Sequence, residues 1–314
     1  GWGGGLYAAL KQGPIIDPMT FVRVPYSAGD STSAFVALWE YLRSSSIDGY
    51  IPKVVLSTPI LIDNPPAEHS TAAFVCNFPI DWTSNNDCHI HCRNVATDWV
   101  FQFGTFNAFN EVKCDHFSVR DDDGSCVNGT RWCDNFTGRL DANHCFSDLF
   151  VNGIGHQVLN VQDARNKGLR AFGCDQPFSF EDGNQLRADG PPGGPIIDTT
   201  ADSYNTNCMW EVIGQASLSG GLVLAGGDNM EFNGVIQDSA GNRLLDIVSG
   251  TSAGSQIELG TLYLETSSGT KQELTVRSAF LGTVLMRNVH GSSVGSNATF
   301  EAGGYDVNNI NAGG

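Results

Sequence analysis

At 314 residues the chain is long enough for one large domain or two or three modest ones, and 41% hydrophobic with 16% charged residues is a globular composition. Its net charge of −17 repels nucleic acid phosphates and anionic lipid, so neither is an expected partner. No apolar stretch reaches the ~20 residues needed to span a bilayer.

Gly1 to Gly5 is too glycine-rich to hold a conformation alone, yet it carries Trp2 and leads into Leu6 and Tyr7. An apolar arm of this kind needs a surface, either on its own domain or on a second copy. Trp2, Leu6 and Tyr7 are read as an assembly arm that docks on a neighbouring copy. Phe21, Val22, Arg23 and Val24 then form a strand-like run. The one clear helix of the chain is expected at residues 33–43: Asp30, Ser31, Thr32 and Ser33 supply caps, and Phe35, Leu38, Trp39 and Leu42 recur at i, i+3, i+4 and i+7. The β-branched run at 53–56 follows as a buried strand.

Val22-Arg23-Val24-Pro25-Tyr26-Ser27-Ala28-Gly29-Asp30, then a helix, then Val54-Val55-Leu56-Ser57 resembles a stretch of the pectin acetylesterase and Notum-type hydrolases. In that family the second strand runs into a Gly-x-Ser-Ala-Gly nucleophile turn. Here Ser57-Thr58-Pro59-Ile60 stands in its place, with no glycine and with a proline that forbids the helix start. The resemblance ends before the catalytic step and implies no activity.

A Pro-Ile-Asp theme recurs at 14–17, 59–63, 79–81 and 195–198. Proline lacks a donor and fixes φ, so these segments read as short edge strands, too unevenly spaced for a solenoid repeat. Further strands are expected at 73–78, 99–106 and 158–161, with Trp99, Phe101 and Phe103 sharing one face.

All nine cysteines lie between Cys76 and Cys208, namely Cys76, Cys88, Cys92, Cys114, Cys126, Cys133, Cys145, Cys174 and Cys208. Such density in a loop-rich region reads as four disulfides plus one unpaired or intermolecular cysteine, in an oxidising secretory setting. Sequons at Asn128, Asn135 and Asn297 agree with a secreted or cell-surface glycoprotein. In Cys88-His89-Ile90-His91-Cys92 an extended backbone puts the cysteines on one face and both histidines on the other. Oxidised cysteines flanking surface histidines are expected there rather than a metal centre. Asp121-Asp122-Asp123-Gly124-Ser125 fails the EF-hand pattern and reads as a turn with solvated carboxylates.

A linker signal stands at 189–195. Beyond it, strands are expected at 221–225, 230–237, 243–248, 256–265, 271–278 and 281–287, joined by hairpin turns at 238–242 and 266–270. Leu262 and Leu264, and Leu274 and Val276, alternate with polar neighbours. Gly250-Thr251-Ser252-Ala253-Gly254 matches Gly-x-Ser-x-Gly, but strand rather than helix follows it, so no catalytic residue is assigned.

The expected fold is mainly β, with antiparallel sandwich or barrel-like sheets, one helix and a disulfide-rich, loop-rich centre. It divides into an arm and strand–helix–strand segment (1–75), a glycosylated disulfide region (76–210), an antiparallel β domain (211–290) and a Gly/Asn-rich arm (291–314). The expected function is that of an extracellular structural glycoprotein that self-assembles with copies of itself as a fibre, coat or surface layer, through its arms and edge strands. The alternatives are a secreted carbohydrate-ester hydrolase using Ser252, and a glycan-binding or adhesion module with Trp82, Trp132 or Trp210 against the glycan. No cofactor and no metal is expected.

Overall fold

A computed structural model describes residues 15–16, 29–45, 51–67, 72–85, 88–104, 111–133, 139–149, 153–159, 165–172, 174 and 176–181. Beyond these it describes 206–215, 220–225, 228–237, 243–249, 256–265, 272–278, 280, 282–291, 298–300 and 306–308. After β1 (Ile15–Ile16) comes α1 (Thr32–Ser45). The chain then winds through repeated turns of three strands each. They are β2 (Lys53–Leu56), β3 (Ile60–Asp63) and β4 (Ala72–Cys76), then β5 (Ile80–Ser84), β6 (Ile90–Arg93) and β7 (Trp99–Phe103). The third turn holds β8 (Glu111–Asp115), β9 (Ser118–Asp121) and β10 (Asn128–Cys133), and the fourth β11 (Arg139–Asn143), β12 (Phe146–Asp148) and β13 (Ile154–Leu159).

From there two described strands recur per turn. These are β14 (Arg165–Phe172) and β15 (Gln176–Glu181), β16 (Thr206–Gln215) and β17 (Gly220–Ala225), and β18 (Asp228–Gln237) and β19 (Arg243–Ser249). The series ends with β20 (Gln256–Glu265) and β21 (Gln272–Val276), β22 (Thr283–Gly291) and β23 (Ala298–Phe300), and β24 (Asp306–Asn308).

Every described strand pairing is parallel. The first sheet has the order β1-β2-β5-β8-β11, the second β24-β22-β20-β18-β16-β14-β12-β9-β6-β3, and the third β23-β21-β19-β17-β15-β13-β10-β7-β4. From β2 onward, strands adjacent in sequence therefore lie in different sheets, and each strand bonds to its counterpart one turn away: a parallel β-solenoid. The second and third sheets continue across residues 76 and 211.

This corrects the expectation of an antiparallel sandwich or barrel. The strands on either side of 238–242 and 266–270 make no hairpins, since β18 pairs with β16 and β20 while β19 pairs with β17 and β21. Two of the Pro-Ile-Asp segments open strands of different sheets, β3 in the second and β5 in the first. Pro59 and Pro79 sit just before β3 and β5, and β5 is an interior strand between β2 and β8. A proline ahead of the first paired residue removes no ladder bond. The linker signal at 189–195 lies outside the described residues.

Inward side chains stack in register. Along the third sheet Phe74 faces Phe101, Phe101 faces Thr130, Thr130 faces His156 and His156 faces Phe178. The column continues through Leu222, Leu245 and Leu274. These side chains are buried, and most belong to one core cluster that follows the solenoid axis. Trp99, expected on one face with Phe101 and Phe103, instead lies with Ala72 and Val75 in a second cluster, and the Arg131 guanidinium sits 4.6 Å over its ring.

α1 closes one end of the core. Its apolar stripe is buried as the periodicity predicts, with Phe35 edge-on to Phe74 at 5.0 Å and Trp39 Nε1 donating to the Val75 carbonyl at 3.1 Å. Asp30 caps the helix, accepting from the Thr32 backbone N–H at 2.9 Å. The Thr32 hydroxyl donates to the Asp63 carbonyl and accepts from its N–H, which fastens the helix to β3.

The described cysteines form no disulfide. Cys76, Cys88, Cys92, Cys114, Cys126, Cys145 and Cys174 are buried thiols, so their density reflects a preference for small apolar side chains inside a narrow core. Burial pushes the Cys76 thiol up to about 12 and raises Cys114 and Cys145 as well, while contact with Cys92, followed by burial, raises Cys126. Thiols held protonated are poor nucleophiles. The side chains of Cys133 and Cys208 are outside the described set.

This packing can be checked at its thiols and at one glycine. Thiol titration of the non-reduced protein in denaturant will find at least the seven described cysteines reactive, whereas a yield of one thiol would restore the four-disulfide scheme. Gly234 has φ +130°, and a Cβ there would lie 1.9 Å from the Val212 carbonyl oxygen. Gly234→Ala should therefore destabilise the fold by on the order of 2–4 kcal/mol, read as a lowered urea midpoint.

Candidate functional site

The second sheet presents its outward face to a groove of about 910 Å³, lined among others by His89, Ser118, Phe146 and Arg170. Period-two alternation sets which residues reach it. In β9, Val119 and Asp121 are buried while Arg120 is exposed, and in β12 Ser147 is buried between half-buried Phe146 and Asp148. Parallel register then aligns these side chains across the turns. Ser118, Phe146, Arg170 and Ile213 form one row. His91, Arg120, Asp148 and Phe172 form the next.

The alternation at Cys88-His89-Ile90-His91-Cys92 places Cys88, Ile90 and Cys92 in the core and leaves both histidines part-exposed, their rings 6.1 Å apart. They take different partners. His89 Nδ1 lies 2.5 Å from Ser118 Oγ, whereas His91 Nδ1 lies 2.8 Å from Asp122 Oδ1, and Arg93 reaches the other oxygen of Asp122 at 3.2 Å. Arg120 lies 3.6 Å from Asp148. Burial lifts the Asp148 carboxyl above the usual carboxylate range, against the pull of Arg120 and His89.

The corner between the first and second sheets carries a second histidine pair. His116 and His144 occupy the same position on successive turns with φ of 59° and 53°, a left-handed conformation in which histidine is enriched among non-glycine residues. Their rings stack at 4.8 Å, one strand spacing, and both Nδ1 atoms lie 3.0 Å from the same Asp115 Oδ1. Asp115, His116 and His144 bring their ligand atoms within 4.8 Å of one another. With an interplanar angle of only 23°, however, the in-plane lone pairs run nearly side by side instead of converging. The arrangement is a carboxylate bridging two stacked imidazoles, and a metal would require both rings to turn.

The aspartate loop is less solvated than its composition predicts. Asp121 is 3% exposed, and its carboxylate accepts from the backbone N–H groups of Asp123, Gly124 and Cys126. Asp123 accepts from Asn94 and Ser125 in the same manner. These bonds tie the corner after β9 to the turn before it.

Behind the groove, His156 is fully buried. Its Nε2 lies 2.7 Å from the Arg170 carbonyl, and Trp132 Nε1 donates to its Nδ1 at 3.2 Å. Those partners define the neutral tautomer protonated on Nε2, because a second proton on Nδ1 would face the indole N–H. Burial accordingly lowers its pKa to about 4.

The remaining residues singled out from the sequence fall elsewhere. Ser252, Asn135, Asn297, Trp2, Leu6 and Tyr7 lie outside the described residues. Asn128 binds across turns: its amide donates to the Asp98 carbonyl and accepts from the Ile154 N–H, and Thr130 of its sequon is fully buried. Trp82, Trp132 and Trp210 are buried, so none is a stacking surface. The aromatic rings on the groove are Phe146 and Phe172, the latter 44% exposed. Sequence reading missed Ser118, Arg120, Phe146, Asp148 and Arg170, which no local motif links. Compared with known proteins, the chain matches no family model and no curated sequence.

The His156 tautomer carries a pH prediction. Below about 6.5 the unfolded chain binds a proton that the folded chain refuses until about 4, so stability falls as pH falls through that window. The loss at its lower end is on the order of 3 kcal/mol. In urea titrations from pH 7 to pH 4, His156→Phe should be less stable at neutral pH but show a shallower decline, and parallel declines would contradict the assignment.

Proposed function

We propose that the chain is a glycan-binding β-solenoid, acting outside the cell or at its surface, whose second sheet holds a stretch of acidic polysaccharide. The observation that carries this reading is a local inversion of charge. In a chain of net charge −17, the charged groups lining the groove are two arginines, Arg120 and Arg170, against a single carboxylate, Asp148. Arg120 is matched to Asp148, but the exposed Arg170 guanidinium forms no ion pair among the described residues. A free guanidinium beside aromatic rings suits a carboxylated or sulfated sugar, with Phe146 and Phe172 meeting the apolar sugar faces and Arg170 the anion. Parallel strands space outward positions every ~4.8 Å along the axis, which suits a linear polymer.

The test is binding of polygalacturonate against neutral dextran, by thermophoresis at low and physiological salt. Tight, salt-weakened binding of the acidic polymer is expected, and Arg170→Gln should weaken it about tenfold or more, the worth of one charge-assisted hydrogen bond. Equal binding of both polymers, or an Arg170→Gln variant that binds as the parent does, would overturn the reading.

A further inference from the structure

Ser118 and His89 are brought together in the groove from different turns. Ser118 Oγ and His89 Nδ1 lie 2.5 Å apart, and among the described residues Oγ meets no other polar group. Both line the groove beside Phe146, whose ring lies 5.8 Å from that of His89. At 5% exposure Ser118 is shielded from bulk water while still forming part of the groove wall. Arg120, two residues along β9, points from the same face, and Arg170 stands in the same row as Ser118 on the far side of Phe146.

We propose that Ser118 and His89 are a nucleophile and its base, and that the pair hydrolyses acyl esters carried by the acidic glycan of the groove. This goes a step past glycan binding and rests on it for the substrate class. Ser118 Oγ attacks the acyl carbonyl carbon while its proton passes to His89 Nδ1. The bond from that carbon to the sugar oxygen breaks, and the sugar oxygen takes the proton from His89. Water then adds to the acyl-serine, giving one proton to His89. As the Oγ–carbon bond breaks, that proton returns to Ser118 and the carboxylic acid leaves. The net change is ester plus water to alcohol plus acid, with no other reactant. Arg120, two residues from Ser118 on the same face of β9, is the cationic group that offsets the negative charge developing on the carbonyl oxygen, while Arg170 holds the anion of the sugar.

Three readouts on the full chain test this. The first is acetate release from O-acetylated polygalacturonate. The second is covalent labelling by a small fluorophosphonate, located by peptide mass spectrometry. The third is binding of unacetylated polygalacturonate. The wild type should release acetate and carry the label on Ser118. Ser118→Ala and His89→Gln should each lose at least about 100-fold in release, the scale of a removed nucleophile or general base, and Ser118→Ala should still bind the unacetylated polymer within about twofold of wild type. Unchanged binding also shows that the Ser118→Ala variant is folded. Polymer binding without acetate release or label would overturn the esterase and leave the binding site standing. Label on Ser118 without polymer binding would keep the nucleophile and overturn the glycan as its substrate. Release that survives Ser118→Ala would place the chemistry on another residue and overturn the assignment.

Discussion

The structure depends on keeping successive turns in register, so that each inward side chain lies directly on its counterpart. A parallel solenoid has no hairpins to set register locally. The stack itself must do so, because a slip of one residue would send every buried group in a strand to the opposite face. Phe74 on Phe101 at 5.2 Å and Phe103 on Trp132 at 4.9 Å are the large members of that stack. Leu222, Leu245 and Leu274 continue it where aromatic residues give way to aliphatic ones. His156 occupies a place in the same column, between Thr130 and Phe178. It fits there because both ring nitrogens are partnered and the ring lies flat on Phe178 at 6.0 Å, so it packs as an aromatic while it stays neutral.

Any stack of this kind leaves the last apolar layer and the last row of backbone groups to be covered. α1 covers both at one end. Phe35 and Trp39 lie over Phe74 and Phe101, while Trp39 Nε1 and an Arg43 guanidinium nitrogen both donate to the Val75 carbonyl of β4. The helix thus serves as the first layer of the core, which explains why an amphipathic helix precedes the described series of strands.

Individual strands were legible in the sequence because alternation is a local property. Gln256 to Glu265 and Lys53 to Leu56 have the bounds that their patterns predict, and α1 buries the four residues that its periodicity marks. Pairing was not legible, because a half-buried strand looks the same whether its partner is the next strand or the one a full turn later. Most parallel sheets are buried on both faces and read as continuous apolar runs. Here one face meets solvent, and Leu262 and Leu264 alternate with polar neighbours just as an antiparallel strand would. The repeat was masked by turns of unequal length, and the described strands of the first sheet end at β11. The cysteines misled for a related reason: density measures how often a small buried side chain is needed as well as how often a crosslink is.

The candidate site was hidden for the same physical cause. A Gly-x-Ser-x-Gly turn can be found by scanning because the motif builds its own geometry, and that scan leads to Ser252. Ser118 has no such neighbourhood in sequence. What places it against His89, Phe146 and Arg170 is the register of β6, β9, β12 and β14, which is dictated by buried residues on the opposite face of the same strands. Inward positions are held by packing, whereas outward positions are free to carry any side chain without disturbing the stack. A solenoid can therefore change the chemistry of its groove one residue at a time, and the order of groups along the groove follows turn number rather than sequence adjacency. Local inversion of charge on an acidic protein is one product of that freedom. Placing Arg120 and Arg170 on outward positions two turns apart leaves the column of Phe101, Thr130, His156 and Phe178 untouched.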